Sequence, residues 1–286
     1  MIPGVLWYIC FHIMPLYGIS IAFFDYKIAL GLKGSKFIGF EKFETLFQAA
    51  EFTRVLKNTL LISFLKLACG FPMPIILALS VNAVTKKYFR KTVQTISYMP
   101  HFLSWVIVFG ICGVLFNGYT GVLEKLFYSL KIPYKDPTLT KGSFIAFLVL
   151  SSMWKGMGMS SIIYLAALSG IDPQLYEAAR VDGASRARQL VSITIPSILP
   201  VCAIVLILSV GGLLSGDFEQ VYLFQRGNPD LVDRSDIFET WTLRNGITAG
   251  RYSIAAAIGI FQSFVGAVLV FITNAISKKL GQGGIW

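Results

Sequence analysis

Two lysines stand inside apolar runs of this sequence, and they are the residues whose position most needs a chemical reason. An ammonium at hydrocarbon depth is costly unless it faces water, finds acceptors or snorkels to a polar boundary. Lys66 lies about a third of the way along its run and is able either to snorkel or to face a water-filled interior. Lys155 sits mid-run beside Trp154, among the small residues Gly156, Gly158, Ser160 and Ser161, so snorkelling is harder. It either faces a watery path or is capped by backbone carbonyls. Catalytic and metal chemistry find no footing. The two histidines, His12 and His101, fall on separate segments with no Cys, Asp or Glu at ligand spacing. The four cysteines, Cys10, Cys69, Cys112 and Cys202, all lie in apolar runs without a CxxC pair, which reads as small buried hydrophobes. A phosphate-cradling GxxxxGK[ST] loop is also missing: the nearest stretch, GLKGSK at 31–36, has the wrong spacing. No catalytic residue, metal ligand or resident cofactor is assigned to this chain.

A second constellation is polar and local. Residues 165–200 read LAALSGIDPQLYEAARVDGASRARQLVSITIPSILP. Asp172 is a good N-cap, and Pro173 suits the first helical position, where a missing N–H costs nothing. Leu175, Tyr176, Ala178 and Ala179 continue the helix, with Glu177 and Arg180 one turn apart. Gly183 fits a left-handed C-terminal position that a side chain resists. Ala184 to Val191 can form a second helix, and Pro196 and Pro200 mark the return to apolar sequence. Small residues, a modest apolar face and charged margins suit a helix laid in a groove of another protein. An interfacial connector packed on its own bundle fits the same pattern.

These residues are positioned by long apolar elements. The 286-residue chain is 55% hydrophobic and 14% charged, against about a quarter charged in soluble domains. Its mean hydropathy is +0.67. Six runs have the roughly 20-residue helical length that crosses hydrocarbon: about 2–24, 59–82, 102–117, 144–168, 198–215 and 254–276. Short alternating strands of a β-barrel are absent. The expected fold is all-α: one polytopic membrane domain over 1–286, with six transmembrane helices and a cytoplasmic helix pair in the segment 169–197. Pro72 and Pro74 should kink the second span, while Gly110, Gly113, Gly211, Gly212 and Gly216 blur the ends of the third and fifth. The first run lacks a basic n-region and a small-residue cleavage site, so it reads as a retained helix.

The formal charge of +10 does not point to nucleic acid, because no basic cluster is interleaved with aromatics on a polar surface. Orientation follows from the loop at 83–101, where Lys86, Lys87, Arg90 and Lys91 occur without an acid; Lys278 and Lys279 agree. Loops 83–101 and 169–197 then lie in the cytoplasm with both termini. Loops 25–58, 118–143 and 217–253 lie outside, where Glu41, Glu44, Glu51, Asp230, Asp233 and Asp236 offset the basic residues. The last of these is the longest external segment and suits docking of an external protein.

The run EAARVDGAS…ITIPSILP resembles the EAA signature of type I ABC importer permeases. Glu177, Ala178, Ala179, Asp182, Gly183, Ala184, Ile193 and Pro196 fall on the pattern, while Ile195 replaces the usual leucine and Leu190 a common aromatic. MPLYGISIAFFDYK at 14–27, QTISYMPHFLSW at 94–105, SSMWKGMG at 151–158, FEQVYLF at 218–224 and the terminal GGIW resemble carbohydrate-importer permeases of the maltose-like class. More narrowly, they resemble the branch associated with aldouronate, alginate and other complex oligosaccharides. The resemblance implies that Tyr176, Glu177, Ala178, Ala179, Asp182, Gly183 and Ala184 belong to coupling helices seated in an ATPase cleft. It also implies a second homologous permease, two ATP-binding-cassette ATPase subunits that bind ATP and Mg, an extracytoplasmic substrate-binding protein, and a bacterial cytoplasmic (inner) membrane.

For a sugar path, aromatic faces suit pyranose C–H surfaces and polar groups suit hydroxyls. The candidates are Lys66, Trp105, Asn117, Trp154, Lys155 and Tyr164, with Trp241 at an external mouth. Each aromatic is more often packed core or interfacial belt than part of a path. In-path lysines would compensate carboxylates on acidic cargo. The alternative is an ion-coupled secondary transporter of small solutes, which usually buries Asp or Glu; the six runs contain neither.

Overall fold

The computed structural model of the protein describes residues 1–281, 284 and 285. Gly283 and Trp286 of the terminal GGIW stretch lie outside the described residues. Among the described residues five helices are long and apolar enough to cross a membrane, and a sharply bent pair supplies a sixth crossing if counted as one broken span.

The first, α1 (Ile2–Phe23), changes from 3-10 geometry over Met14–Phe23 to looser turns before it, and Pro15 stands at the change. Proline has no N–H to continue an α-helical ladder. Two short strands follow, β1 (Phe24–Asp25) and β2 (Lys36–Phe37), antiparallel with Phe24 opposite Phe37. The helices α2 (Phe52–Gly70) and α3 (Pro72–Ala83) meet at Phe71, immediately before Pro72. α4 (Lys87–Tyr98) and α5 (Trp105–Phe116) are separated by a bend of 102°. The long α6 (Phe144–Ser169) leads to the short α7 (Pro173–Val181), then α8 (Arg186–Gly211) and α9 (Tyr252–Lys279).

Two of these helices reach beyond the apolar runs of the sequence. α2 begins at Phe52 instead of 59, because Phe52 and Val55 have a core to pack in even though Arg54 and Lys57 interrupt the apolarity. α8 begins at Arg186 instead of 198: Ser185 caps it, and the polar first turns join the span through a π-helical stretch at Leu190–Thr194.

The chain folds as two compact units. The first comprises Met1–Leu61 and Leu213–Val268. Its core joins Leu46, Phe52, Val55, Leu214, Phe238, Trp241 and Ile258. Phe261 lies edge-on to Phe47, Phe52 and Phe238, with ring centres 5.6–5.7 Å apart. Such pairs add about 0.5–1.5 kcal/mol each beyond the area they bury. The segment after α8 is helical here too, with Phe218–Gln225, Pro229–Ser235 and Phe238–Trp241 as short helices.

The second unit comprises Ile62–Gly212 and Leu269–Trp286. Its core packs Ala78 and Val81 of α3 against Tyr164, Leu165 and Leu168 of α6 and Ile198 and Cys202 of α8. One close approach explains a glycine. A Cβ on Gly158 would stand 1.9 Å from the Ser97 carbonyl oxygen, so the backbone of α4 rests directly on α6. Many apolar side chains on these helices stay exposed, among them Phe64, Val114, Leu208, Phe264 and Phe271. Soluble proteins rarely leave so much apolar surface in water; hydrocarbon covers it without cost.

Candidate functional site

The polar segment between α6 and α8 is built almost wholly from local bonds. Asp172 Oδ1 accepts from the Gln174 amide at 2.9 Å, and Pro173 opens α7. At the other end Gly183 takes φ +75°, the Ala184 amide donates to the Ala179 carbonyl, and the Gly183 amide donates to the Arg180 carbonyl. That pair of bonds is a Schellman closure, which needs a left-handed residue where Gly183 stands. Ser185 accepts from the Arg188 amide and starts α8.

One longer bond ties α7 to α8, with Tyr176 Oη 2.9 Å from Thr194 Oγ1. Gln189 Nε2 ties α8 to the intervening turn, donating to the Ala184 carbonyl at 2.9 Å. Thr194 belongs to the π-helical stretch, so the irregular turn presents the hydroxyl that Tyr176 meets. Tyr176 and Thr194 also line a cavity of about 480 Å³, with Asn82, Arg186 and Gln189 in its wall. Sequence reasoning missed Thr194 and Gln189. A π-turn has no local signature, although a hydroxyl close to Pro196 was a visible hint.

No residue of α7 is buried. Glu177, Ala178, Asp182 and Gly183 are exposed, while Tyr176, Ala179 and Ala184 are half-buried. Leu175 is 50% exposed and Val181 88%. Arg180 turns its Nε to the Tyr176 carbonyl at 3.2 Å. A nine-residue helix is too short to persist by its own propensity in water. Here caps at both ends and the Tyr176–Thr194 bond hold it, while Leu175 and Val181 stay exposed. Its two roots, α6 and α8, share the core of the second unit. The arrangement can seat in a groove and hand a displacement to both helices.

The remaining sequence candidates scatter. Lys155 Nζ donates to the His101 carbonyl at 3.2 Å and lies 5.4 Å from the centre of the Trp105 ring. His101 sits just before the bend between α4 and α5, where a helix break leaves carbonyls unserved. The ammonium is thus met by a carbonyl and an aromatic face, and Trp105 is buried beside it. Trp154, 42% exposed, lines an apolar cavity of about 480 Å³ with Val108, Cys112 and Leu150. Asn117 ends α5, its Oδ1 accepting from the Tyr119 and Thr120 amides. Tyr164 is buried in the core of the second unit and Trp241 in the core of the first. Lys66 is half-buried on α2. Of these candidates the structure brings Lys155 onto the Trp105 ring.

An unforeseen polar cluster lies in the first unit. Asp236 is fully buried; Arg244 pairs with its Oδ2, and Thr240 Oγ1 donates to its Oδ1 at 2.8 Å. Arg54 bonds Asp233 at 2.8 Å and stands 4.0 Å from Asp236. Arg54 is 179 residues from Asp233 in sequence, so no spacing rule could pair them.

Helices long and apolar enough to cross a membrane, with a capped and exposed connector helix, fit a membrane component of a transport system. The comparisons with known proteins agree: residues 70–282 match the family described as binding-protein-dependent transport system inner membrane component, and the chain belongs to that family. It is 41% identical over its whole length to Protein LplB of Bacillus subtilis (strain 168), spanning 89% of that protein. Its identity to the polygalacturonan/rhamnogalacturonan transport system permease protein YteP of the same organism is also 41%, with 88% of that protein spanned. A chain in the crystal structure of a bacterial alginate ABC transporter, in complex with alginate pentasaccharide-bound periplasmic protein, superposes with a TM-score of 0.90 at 38% identity. That match covers 99% of this chain and 94% of the other. The fold is therefore the type I importer permease fold expected from the EAA-like run.

Proposed function

We propose that this chain is the permease subunit through which an ABC importer passes oligosaccharides inward across a bacterial cytoplasmic membrane, and that α7 is its docking point for a separate ATPase subunit. The observation that carries the reading is α7 itself: capped at both ends, free of buried residues, and exposing Leu175 and Val181 together with Glu177. A short helix with exposed apolar side chains suits burial in a groove of another protein. The names of YteP and of the alginate transporter support acidic, uronate-containing cargo. The assembly has a second homologous permease, two ATPase subunits that bind ATP and Mg, and an extracytoplasmic binding protein. Both termini and α7 face the cytoplasm, in keeping with Lys86, Lys87, Arg90, Lys91, Lys278 and Lys279.

In this account the energy comes from the partners and the path from the permeases. Closure of the two ATPases moves α7, and α6 and α8 follow because both are rooted in one core. The spans then alternate between inward and outward openings. Lys66, Trp105, Asn117, Trp154, Lys155, Tyr164 and Trp241 stay candidates for the path; the His101 carbonyl and Trp105 ring favour a bracing role for Lys155.

The test is assembly. Gly183→Asp puts a side chain at φ +75°, and Glu177→Lys reverses a charge on the exposed face. Both variants should reach the membrane and lose ATPase co-purification and uptake. Retention of both properties in both variants would sink the docking assignment.

A further inference from the structure

The segment that follows α8 carries a cavity of about 390 Å³ that the coupling account does not use, lined by Tyr222, Gln225, Thr240, Leu243, Arg244 and Thr248 among others. The size falls within the range of small-molecule sites, about 300–1,000 Å³. We propose that it is a subsite for one uronate residue of the cargo, with Tyr222 under the pyranose ring and Arg244 on the carboxylate. The ligand class rests on the oligosaccharide reading above.

The lining has the chemistry such a ligand requires. Tyr222 is 51% exposed, although its neighbours Val221 and Phe224 are fully buried. Its ring is stacked on Phe218, with centres 5.3 Å apart and planes 19° from parallel. The second ring fixes the orientation of the first and leaves an aromatic face for sugar C–H groups. Thr248 adds an exposed hydroxyl to the wall, while the Thr240 hydroxyl and the Gln225 amide behind it are bonded to Asp236 and Ser235.

Arg244 is held from behind. The carboxylate of Asp236 is fully buried and fixed at two points: the Thr240 hydroxyl on one oxygen and the Arg244 Nη2 on the other. A guanidinium has five donors, and this pairing leaves others for a ligand. The Arg244 side chain is 43% exposed where it lines the cavity, so its outer edge is open. Arg54, 4.0 Å from the same Asp236 oxygen, shares that negative charge and leaves Arg244 positive potential toward the opening. An anchored arginine loses little entropy on meeting a carboxylate, and the planar fork suits two-point recognition. Lysine would keep the charge without that geometry.

The experiment uses the complete importer with its ATPases and binding protein in proteoliposomes. Trigalacturonate uptake is compared with uptake of its carboxyl-reduced, neutral counterpart at saturating binding protein. Tyr222→Ala should slow both cargoes by about tenfold while Tyr222→Phe transports normally. Arg244→Lys, which keeps the partner of Asp236, should slow the acidic cargo by about tenfold and leave the neutral one unchanged. Unchanged rates for both cargoes in Tyr222→Ala and Arg244→Lys, with a wild type that imports them, would overturn the subsite and leave the oligosaccharide reading standing. A wild-type importer whose ATPase activity responds to no oligosaccharide would remove that reading and the subsite's ligand with it.

Discussion

The two polar connectors that flank α8 are built in opposite ways. α7 and its turn make nearly all their bonds within a few residues and bury nothing. The segment from Phe218 to Trp241 buries Val221, Phe224, Leu231, Ile237, Phe238 and Trp241, and ties Asp236 to a cation eight residues away and Asp233 to one 179 away. The first connector is therefore stable in shape but incomplete in packing, as a docking element must be. The second packs into a core shared with Phe52, Val55 and Ile258, a folded platform for a cavity. The contrast supports the proposed division of roles: α7 leaves Leu175 and Val181 open on a locally bonded scaffold, whereas the charges around Asp236 are satisfied within the fold.

That contrast predicts which changes act on stability and which on assembly. The largest effect is expected from Asp236→Ala, which leaves Arg244 without its buried counter-charge and turns the Thr240 hydroxyl over to the Ile237 carbonyl alone. Removing one member of a buried pair costs about 3–5 kcal/mol, a figure to be taken at its low end because Arg244 is partly exposed. Thermal unfolding in detergent should show a marked fall in midpoint, and an unchanged midpoint would break the comparison from the platform side. A smaller effect is expected from Tyr176→Phe, which removes the hydroxyl facing Thr194: about 1 kcal/mol, felt locally in α7. Faster hydrogen exchange over 173–181 with an unchanged global midpoint would support it; a global loss of stability would mean α7 is part of the core. The smallest stability effect belongs to Leu175→Ser with Val181→Ser, within about 0.5 kcal/mol because both side chains are exposed. The same double variant should abolish ATPase binding.

Legibility in the sequence followed the range of the interactions. Asp172, Pro173 and Gly183 announce both ends of α7 because capping is decided within four residues. Apolar runs located the spans, but not where helices extend into polar sequence: Arg54 and Lys57 hid the first turns of α2, and Arg186 and Arg188 those of α8. The π-turn at Leu190–Thr194 has no local signature. The 102° bend after α4 falls between Pro100 and the Ser104 N-cap of α5, local cues whose angle sequence does not give. The carbonyl and ring around Lys155 depend on that bend, so sequence left its two readings open. The Asp236 cluster and the cavity beside it join residues from separate short helices and α2, beyond any local pattern.

The most direct test of the account is photocross-linking from position 181, where Val181 is the most exposed apolar residue of α7. A photoreactive side chain there, in the assembled importer, should yield an adduct with the ATPase subunit, whose yield changes when ATP is added. Adducts with lipid or with this chain alone would contradict the assignment of α7 as the coupling surface.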